Sequence, residues 1–160
     1  MSRAMVPLSQ IYNFRAVGDR LGTAGQPTEA QFKLIRDAGF VAVINLALPT
    51  SDHALADEGS LVTNLGMTYV HIPIDFKAPN AKEFEAFSGV LRAFGDSPVF
   101  VHCAANMRVS SFVFLHRVLH EGVTRAEAER DLFAIWRPDA VWSRFIESQL
   151  DENPPAGHRT

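Results

Sequence analysis

The sequence predicts an α/β domain with a mostly parallel sheet and helices on both faces of that sheet. Two apolar runs, at 41–46 and Val99–His102, are rich in β-branched residues, which is typical of strands covered on both sides. A third strand is predicted between them, at 67–74. Segments with apolar residues at helical spacing separate the three strands, and this alternation indicates parallel strands joined by crossover helices.

The composition is that of one ordinary globular domain. Of the 160 residues, 47% are apolar and 21% are charged, and a chain of this length buries a core without disulfides or metals. We therefore predict a single domain over residues 1–160 with its core at about 11–150. The polar tail at 151–160 is predicted to be frayed. No cofactor or metal is expected.

Composition also bears on partners and location. The net charge of -3 gives no reason to expect nucleic acid or a membrane as partner, and the oligomeric state stays open. Residues 1–7 lack the apolar stretch of a secretory signal, and no run approaches the ~20 apolar residues that span a bilayer. A lone cysteine suits a reducing compartment, so we expect a cytoplasmic protein.

The first elements along the chain are short. Extended segments are predicted around 13–17 and at Leu21–Ala24, with a Gly-Asp pair between them. A helix then opens at Thr28, which forms a capping box with Gln31, and Gly39 provides its C-terminal stop.

The remaining helices are predicted from apolar spacing and from caps. They are expected at 55–65, around Phe84 to Phe94, at 111–120, after the capping pair Thr124 and Glu127, and around Trp142 to Ile146. Helices therefore alternate with the strands up to about residue 120, and further helices follow.

The candidate chemistry lies in the segment that joins the strand Val99–His102 to the next helix. Its residues are Cys103, Ala104, Ala105, Asn106, Met107 and Arg108. In open α/β sheets ligands bind at the carboxyl ends of strands, and the free N–H groups of a following helix attract anions. A helix N-terminus and a nearby arginine both stabilise a thiolate, so we predict that Cys103 is a nucleophile. Arg108 offers planar paired donors that match phosphate oxygens.

Both residues also have a simpler interpretation. A lone cysteine is often a small buried apolar residue, and Arg108 could form an ion pair at the surface. The order of strand, cysteine, loop, arginine and helix favours chemistry over both alternatives.

The segment resembles the signature of the cysteine-based protein tyrosine and dual-specificity phosphatases, which is His-Cys, five residues, Arg, and then Ser or Thr. His102 and Cys103 match its start, but only four residues separate the cysteine from Arg108. Val109 follows the arginine, and Asn106 stands where the family usually has glycine. A bacterial subgroup, related to a domain found beside some β-lactamase-like hydrolases, has the shorter loop, and this chain is most similar to that subgroup.

The resemblance implies a dual-specificity-phosphatase-like fold and hydrolysis of phosphomonoesters through a cysteinyl-phosphate intermediate. It implies that His102 orders the loop and that the following residues bind the substrate: Ala104, Ala105, Asn106, Met107 and Ser110. The substrate would be a phosphorylated protein or a small phosphorylated molecule. Weaker stretches of the same resemblance occur at 25–28, 71–75 and 136–138.

The departures from the signature have a physical interpretation. Asparagine tolerates a positive φ better than other non-glycine residues, so Asn106 is predicted to hold the tight turn. Ser110 could donate a hydrogen bond to the Cys103 sulfur, or it could cap the helix, and both readings stay open.

Hydrolysis by this route needs a proton for the leaving oxygen. Asp75 is the candidate because it ends the strand predicted at 67–74 and opens a loop that would share a rim of the sheet with Cys103. The resemblance also places an aspartate here in several phosphatases. The alternative is an aspartate that caps a turn or helix, and Asp52 and Asp57 are the next candidates for the acid.

Two other functions remain open at this point. A rhodanese-like sulfurtransferase also carries a cysteine at a strand end in a loop about as short as this one, whereas the His102-Cys103 pair and Asp75 favour a phosphatase. A phosphate-binding module without turnover is the other alternative. No metal site is expected, because His116 and His120 lie on one helix without the intervening glutamate of the zincin motif.

Overall fold

The structure, a computed structural model, describes residues 8–153. The N-terminal residues 1–7, which were expected to carry no signal, and residues 154–160 of the predicted tail fall outside this range. Within the described residues, no helix is both long enough and apolar enough to cross a bilayer.

A five-stranded, mostly parallel sheet forms the centre of the fold, which confirms the predicted fold class. Its strands are β1 Arg15–Val17, β2 Leu21–Ala24, β3 Ala42–Asn45, β4 Thr68–His71 and β5 Val99–His102. They lie in the order β1-β2-β5-β3-β4, with β1 antiparallel to β2 and the other neighbours parallel. The loops after β2, β3, β4 and β5 therefore emerge at the same edge of the sheet, and β5 is the central strand.

The helices follow the predicted order. They are α1 Glu29–Asp37, α2 Glu58–Asn64, α3 Ala81–Ala93, α4 Met107–His120, α5 Arg125–Ile135 and α6 Ala140–Glu152. The predicted capping box opens α1: the Gln31 N–H donates to the Thr28 hydroxyl at 3.3 Å, and the Thr28 N–H donates to Gln31 Oε1 at 2.9 Å.

Most boundaries differ from the prediction by a few residues, and three of the differences concern the candidate site or the tail. The regular part of β4 ends before Pro73, although the N–H groups of Ile72 and Ile74 still donate to the β3 chain at 2.9 and 3.1 Å. Helix α4 begins at Met107 and not at residue 111. Helix α6 extends to Glu152, so the first two residues of the predicted tail are helical.

The two faces of the sheet carry different helices. Along β5, Val99 and Val101 belong to the core that packs under α3 to α6, while Phe100 belongs to the core under α1 and α2. His102 continues this alternation and lies on the α1–α2 face, where its ring contacts Phe32 of α1 edge-on. The strand pattern therefore directs His102 and Cys103 to opposite sides of the sheet.

Helix α4 is the most enclosed helix, with buried residues on all sides from Arg108 to Val118. Phe112 anchors it, with its ring in contact with Phe84 of α3 and Trp142 of α6. The Trp142 indole N–H also donates to the Phe76 carbonyl at 2.8 Å, which ties α6 to the loop after β4. The N-terminus of α4, which follows the Cys103 segment directly, is thus held between packed elements.

Candidate active site

The turn from β5 into α4 depends on Asn106. Its φ of 68° and ψ of 6° are left-handed, as the sequence predicted. The side chain is fully buried, and its Nδ2 donates to the Asn13 carbonyl at 2.9 Å and to the Thr23 hydroxyl at 3.1 Å. These bonds fix the residue between the N-terminal segment and β2, so the turn does not depend on glycine.

The carbonyl oxygens of Cys103, Ala104 and Ala105, in the loop after β5, face donors outside the loop. That of Cys103 faces His102 Nδ1 at 3.2 Å, that of Ala104 accepts from the Gln26 N–H at 3.0 Å, and that of Ala105 accepts from Asn13 Nδ2 at 3.1 Å. In a trans peptide the N–H points opposite to the C=O. The N–H groups of residues 104, 105 and 106 therefore point away from these donors, which is the arrangement that an anion-binding loop needs.

The loop after β2 supports this arrangement because Gly25 lacks a side chain. A Cβ atom on Gly25 would lie 2.5 Å from the Ala104 carbonyl oxygen and 2.7 Å from the ring of Tyr12. The backbone of Gly25 also bridges to Ala105. The stretch at 25–28 is thus in direct contact with the Cys103 loop.

Cys103 lies at the base of this loop and is 1% exposed. Its N–H donates to the Ala24 carbonyl at 3.3 Å, which continues the pairing of β2 with β5. Its position after the central strand and before α4 is the predicted one. Its role as nucleophile stays a prediction, as does phosphate binding by residues 104–107.

Arg108 is buried at the first turn of α4, with 6% of its surface exposed, so the surface ion pair considered from the sequence is wrong. Its Nη1 donates to the Ile74 carbonyl at 2.8 Å, and its guanidinium carbon lies 6.0 Å from the centre of the Phe76 ring. Arg108 therefore joins the Cys103 loop to the segment on either side of Asp75.

Asp75 itself is exposed and lies beside that contact. Its Oδ1 accepts from the Lys77 N–H at 2.9 Å, a turn-stabilising bond that matches the simpler interpretation. Burial and the charge of Asp75 raise the pKa of the nearby Glu83 carboxyl, a residue that the sequence analysis did not consider. The location agrees with an acid at the site, and the catalytic role stays a prediction.

His102 forms a buried pair with Glu58 of α2. Its Nε2 lies 2.5 Å from Glu58 Oε2, and the two side chains are 0% and 3% exposed. Gln26 Nε2 donates to the other Glu58 oxygen at 2.9 Å. One imidazole nitrogen therefore faces a carboxylate, and the other faces the Cys103 carbonyl.

The electrostatics of Glu58 agree with this pairing. Burial alone would raise the pKa of its carboxyl, but the hydrogen bond and charge of His102, with hydrogen bonds from Gln26 and Tyr69, hold the pKa below its ordinary value. Glu58 was not predicted from the sequence as the partner of His102. The available signal was a glutamate at a position where the helical spacing of α2 directs residues into the core.

Ser110 does not cap α4, because the N-cap position belongs to Asn106. Its hydroxyl donates to the Met107 carbonyl at 3.2 Å. A hydrogen bond from Ser110 to the Cys103 sulfur stays a prediction.

The other acid candidates lie in different places. Asp52 lines a pocket beside Ala104 and Ala105, whereas Asp57 is exposed at the start of α2 and makes no capping bond there. His116 pairs with Ser88 and Glu121 at 3.0 and 3.2 Å. Residues 8–153 contain no group of three or more His, Cys, Asp or Glu side chains arranged to hold a metal ion.

Comparison with known proteins identifies relatives of this chain. A family model described as "DSP-PTPase phosphatase fused to NAD+ Kinase" matches residues 15–141. The β-lactamase hydrolase-like protein of Agrobacterium fabrum is 29% identical over 117 residues, which are 71% of this chain and 27% of that protein. The chain thus spans about a quarter of the length of this relative.

Two solved structures are similar in fold. A DUF442 protein from Shewanella putrefaciens CN-32 is 32% identical, with a TM-score of 0.83 over 93% of this chain and 98% of that one. Tk-PTP in its active form is 21% identical, with a TM-score of 0.69 over 88% of this chain and 95% of that one, and this likeness shows the fold alone. The family model and the Shewanella match support a phosphatase of the dual-specificity and tyrosine type, and the chain belongs to the family described as "DSP-PTPase phosphatase fused to NAD+ Kinase" within the cysteine-dependent phosphatase superfamily.

Proposed function

We propose that this protein hydrolyses phosphomonoesters through a cysteinyl-phosphate intermediate on Cys103. The strongest support for this proposal is the position of Arg108 beside the Cys103 loop. The buried Arg108 lies at the first turn of α4, directly after a loop in which the carbonyl oxygens of residues 103–105 face donors outside the loop. A fixed set of N–H groups beside a guanidinium suits the three oxygens of a transferring phosphoryl group.

In the first step, the Cys103 thiolate attacks phosphorus. The S–P bond forms as the bond from phosphorus to the ester oxygen breaks, and the leaving oxygen takes a proton from the Asp75 carboxylic acid. The N–H groups of the loop and the positive end of α4 stabilise the negative charge on the phosphoryl oxygens. Arg108 has five N–H donors, and the bond to the Ile74 carbonyl uses one of them, so others are able to face the phosphate.

In the second step, a water molecule attacks phosphorus and gives a proton to the Asp75 carboxylate. The S–P bond breaks, inorganic phosphate leaves, and the Cys103 thiolate is regenerated. His102 Nδ1, 3.2 Å from the Cys103 carbonyl, holds the base of the loop in place behind the sulfur in this step.

The intermediate provides the direct test. A chromogenic aryl phosphate is mixed with the protein and the reaction is quenched in acid, after which intact-protein mass spectrometry should find one added phosphoryl group on Cys103. The Cys103→Ser variant should show neither this adduct nor turnover. Turnover that survives in this variant would contradict the proposal.

The substrate in this proposal is a phosphorylated protein or a small phosphorylated molecule. Because the nucleophile must remain a thiol, we place the activity in the reducing cytoplasm. The four-residue spacing between Cys103 and Arg108 favours a sulfurtransferase, whereas the His102-Cys103 pair and Asp75 favour a phosphatase. An assay of both activities separates the two functions.

A further inference from the structure

A pocket of about 370 Å³ lies beside the Cys103 loop. It is lined by Tyr12, Gln26, Asp52, His53, Ala104 and Ala105. Because Ala104 and Ala105 directly follow the predicted nucleophile, the pocket adjoins the loop that is proposed to hold the phosphate.

One wall of the pocket is the ring of Tyr12, which is 59% exposed although it belongs to a well-held segment. The Tyr12 carbonyl accepts a hydrogen bond from the Gly25 N–H at 2.7 Å. The side-chain Nδ2 of the next residue, Asn13, donates to the Ala105 carbonyl. The ring lies over Gly25, where a Cβ atom would approach it to 2.7 Å. An aromatic face is therefore presented at a fixed place, outside the core.

The opposite wall is the loop between β3 and α2, which presents Asp52 and His53. These two residues form the centre of a turn, in which the Ala54 N–H donates to the Ser51 carbonyl at 3.1 Å. His53 has a left-handed φ of 64°, a strained conformation for a non-glycine residue that tends to occur at functional sites. Both side chains are exposed.

The ionisable side chains in the lining of this pocket are those of Tyr12, Asp52 and His53. Asp52 is the one carboxylate among the six lining residues, and none of the six is a lysine or an arginine. A carboxylate and the face of an aromatic ring both attract cations, and a second phosphate on the substrate would meet the Asp52 charge unfavourably.

We infer that this pocket selects phosphomonoesters that carry a positively charged group near the phosphate, with Asp52 and Tyr12 as the residues that determine this specificity. The inference rests on the proposed function and adds a substrate class to it. It predicts poor activity on substrates that carry several phosphates.

The test uses matched substrates that differ only in charge. One pair consists of two phosphotyrosine peptides of equal length, with arginine or glutamate next to the phosphotyrosine. The other pair consists of two para-substituted phenyl phosphates, one with an ethylammonium group and one with a propionate group. At low ionic strength we expect the cationic member to have a kcat/KM about tenfold higher in at least one pair. If the cationic member is preferred in both pairs, the recognised cation lies beside the phosphate-bearing ring. If it is preferred only in the peptide pair, the recognised cation lies on a neighbouring residue.

Variants assign the preference to the pocket. Asp52→Asn should reduce the ratio of kcat/KM, cationic over anionic substrate, to about twofold or less. Asp52→Lys should reverse the preference, so that the anionic substrate is hydrolysed with the higher kcat/KM. Tyr12→Leu should lower the ratio by about twofold to fivefold, whereas Tyr12→Phe, which keeps the ring, should not. Asp19→Asn is the matched control because Asp19 is exposed in the turn before β2, at the opposite edge of the sheet, and it should leave the ratio unchanged.

The ratio cancels any common change in rate, so it reports specificity apart from catalysis. A wild-type enzyme that hydrolyses all four substrates with equal kcat/KM, or a ratio that Asp52→Lys leaves intact, would overturn the inference while the proposed function stands. If the wild type hydrolyses none of them, the proposed function fails. The Kd values of the two peptides for the Cys103→Ser variant then decide, since equal affinities or no binding would overturn the inference as well.

Discussion

His102 Nε2 lies 2.5 Å from a carboxylate oxygen of Glu58, and this buried pair stands directly behind the Cys103 loop. The contact connects α2, on one face of the sheet, with the carbonyl of the predicted nucleophile. Removing one partner of such a pair leaves the other without compensation in a poorly solvated interior, which makes its effect measurable.

We predict that Glu58→Gln lowers the free energy of unfolding by about 1–3 kcal/mol and slows aryl phosphate hydrolysis. Glutamine keeps the shape of the side chain and removes the charge that holds His102. The measurement is urea unfolding beside a rate assay. In a double-mutant cycle, His102→Gln combined with Glu58→Gln should cost less than the sum of the single changes, and strict additivity would contradict coupling.

The same pair predicts a dependence of stability on pH. Because the pKa of Glu58 is lower in the folded protein than its ordinary value of 4.5, the carboxylate stabilises the fold above that pH. This contribution is lost as the pH falls through the folded value. We therefore expect the wild type to lose stability more steeply than Glu58→Gln below about pH 4.5, measured by thermal unfolding across a pH series. Parallel curves would show that the carboxylate is not stabilised by folding.

Arg108→Lys is expected to lower kcat/KM at least a hundredfold. Lysine keeps the charge but loses the planar fork that pairs with two phosphate oxygens, and contacts of this kind contribute roughly 2.7–4 kcal/mol to the transition state. Arg130→Lys, on the exposed side of α5, is the control for the same chemical change. A nearly normal rate for Arg108→Lys would place this residue outside the site.

The fold and the loop were predictable where local chemistry decides them. Thr28 and Gln31 formed the expected cap because a capping box needs only neighbouring residues, and Asn106 took the left-handed turn because asparagine tolerates it. The Glu58–His102 pair was missed because its members are 44 residues apart and only the packing of α2 on the sheet brings them together. The start of α4 was placed too late because a buried arginine in a first turn does not follow apolar spacing.

Gly25→Ala tests the close contact that holds the loop. A Cβ atom would lie 2.5 Å from the Ala104 carbonyl, so the β2 segment or the Cys103 loop must move, and we expect a loss of about 1–3 kcal/mol in stability together with lower activity. Gly89→Ala is the contrasting change, because Gly89 lies within α3 with no atom within 4 Å of an added Cβ. That variant should gain about 0.5–1 kcal/mol and keep its activity. Equal unfolding free energies for the two variants would show that the loop absorbs the added methyl group.

Asp75→Asn should slow hydrolysis most for substrates with poor leaving groups. A proton matters when the departing oxygen is basic, so an alkyl phosphate should depend on Asp75 more than a nitrophenyl phosphate does. The measurement is a plot of kcat/KM against leaving-group pKa for the wild type and the variant. Equal slowing across the series would assign Asp75 to the turn that its bond to the Lys77 N–H stabilises, and Asp52 and Glu83 would then be tested in the same way.

The last prediction separates a phosphatase from a sulfurtransferase. Both enzymes use a cysteine thiolate at a helix N-terminus, so the position of Cys103 alone does not distinguish them. A phosphoryl group presents three oxygens and needs converging donors, a cation and an acid, whereas a persulfide needs donors for one sulfur and no acid. Arg108, buried beside the loop and bonded next to Asp75, meets the demands of the phosphoryl group.

We therefore expect aryl phosphatase activity that vanadate inhibits, with no transfer of sulfur from thiosulfate to cyanide above background. The Cys103→Ser variant serves as the control in both assays. Sulfur transfer that this variant abolishes, without phosphatase activity across a pH series, would contradict the phosphatase. Phosphate binding without either activity would instead identify a recognition module, because the loop would then hold the anion without the chemistry that breaks its ester bond.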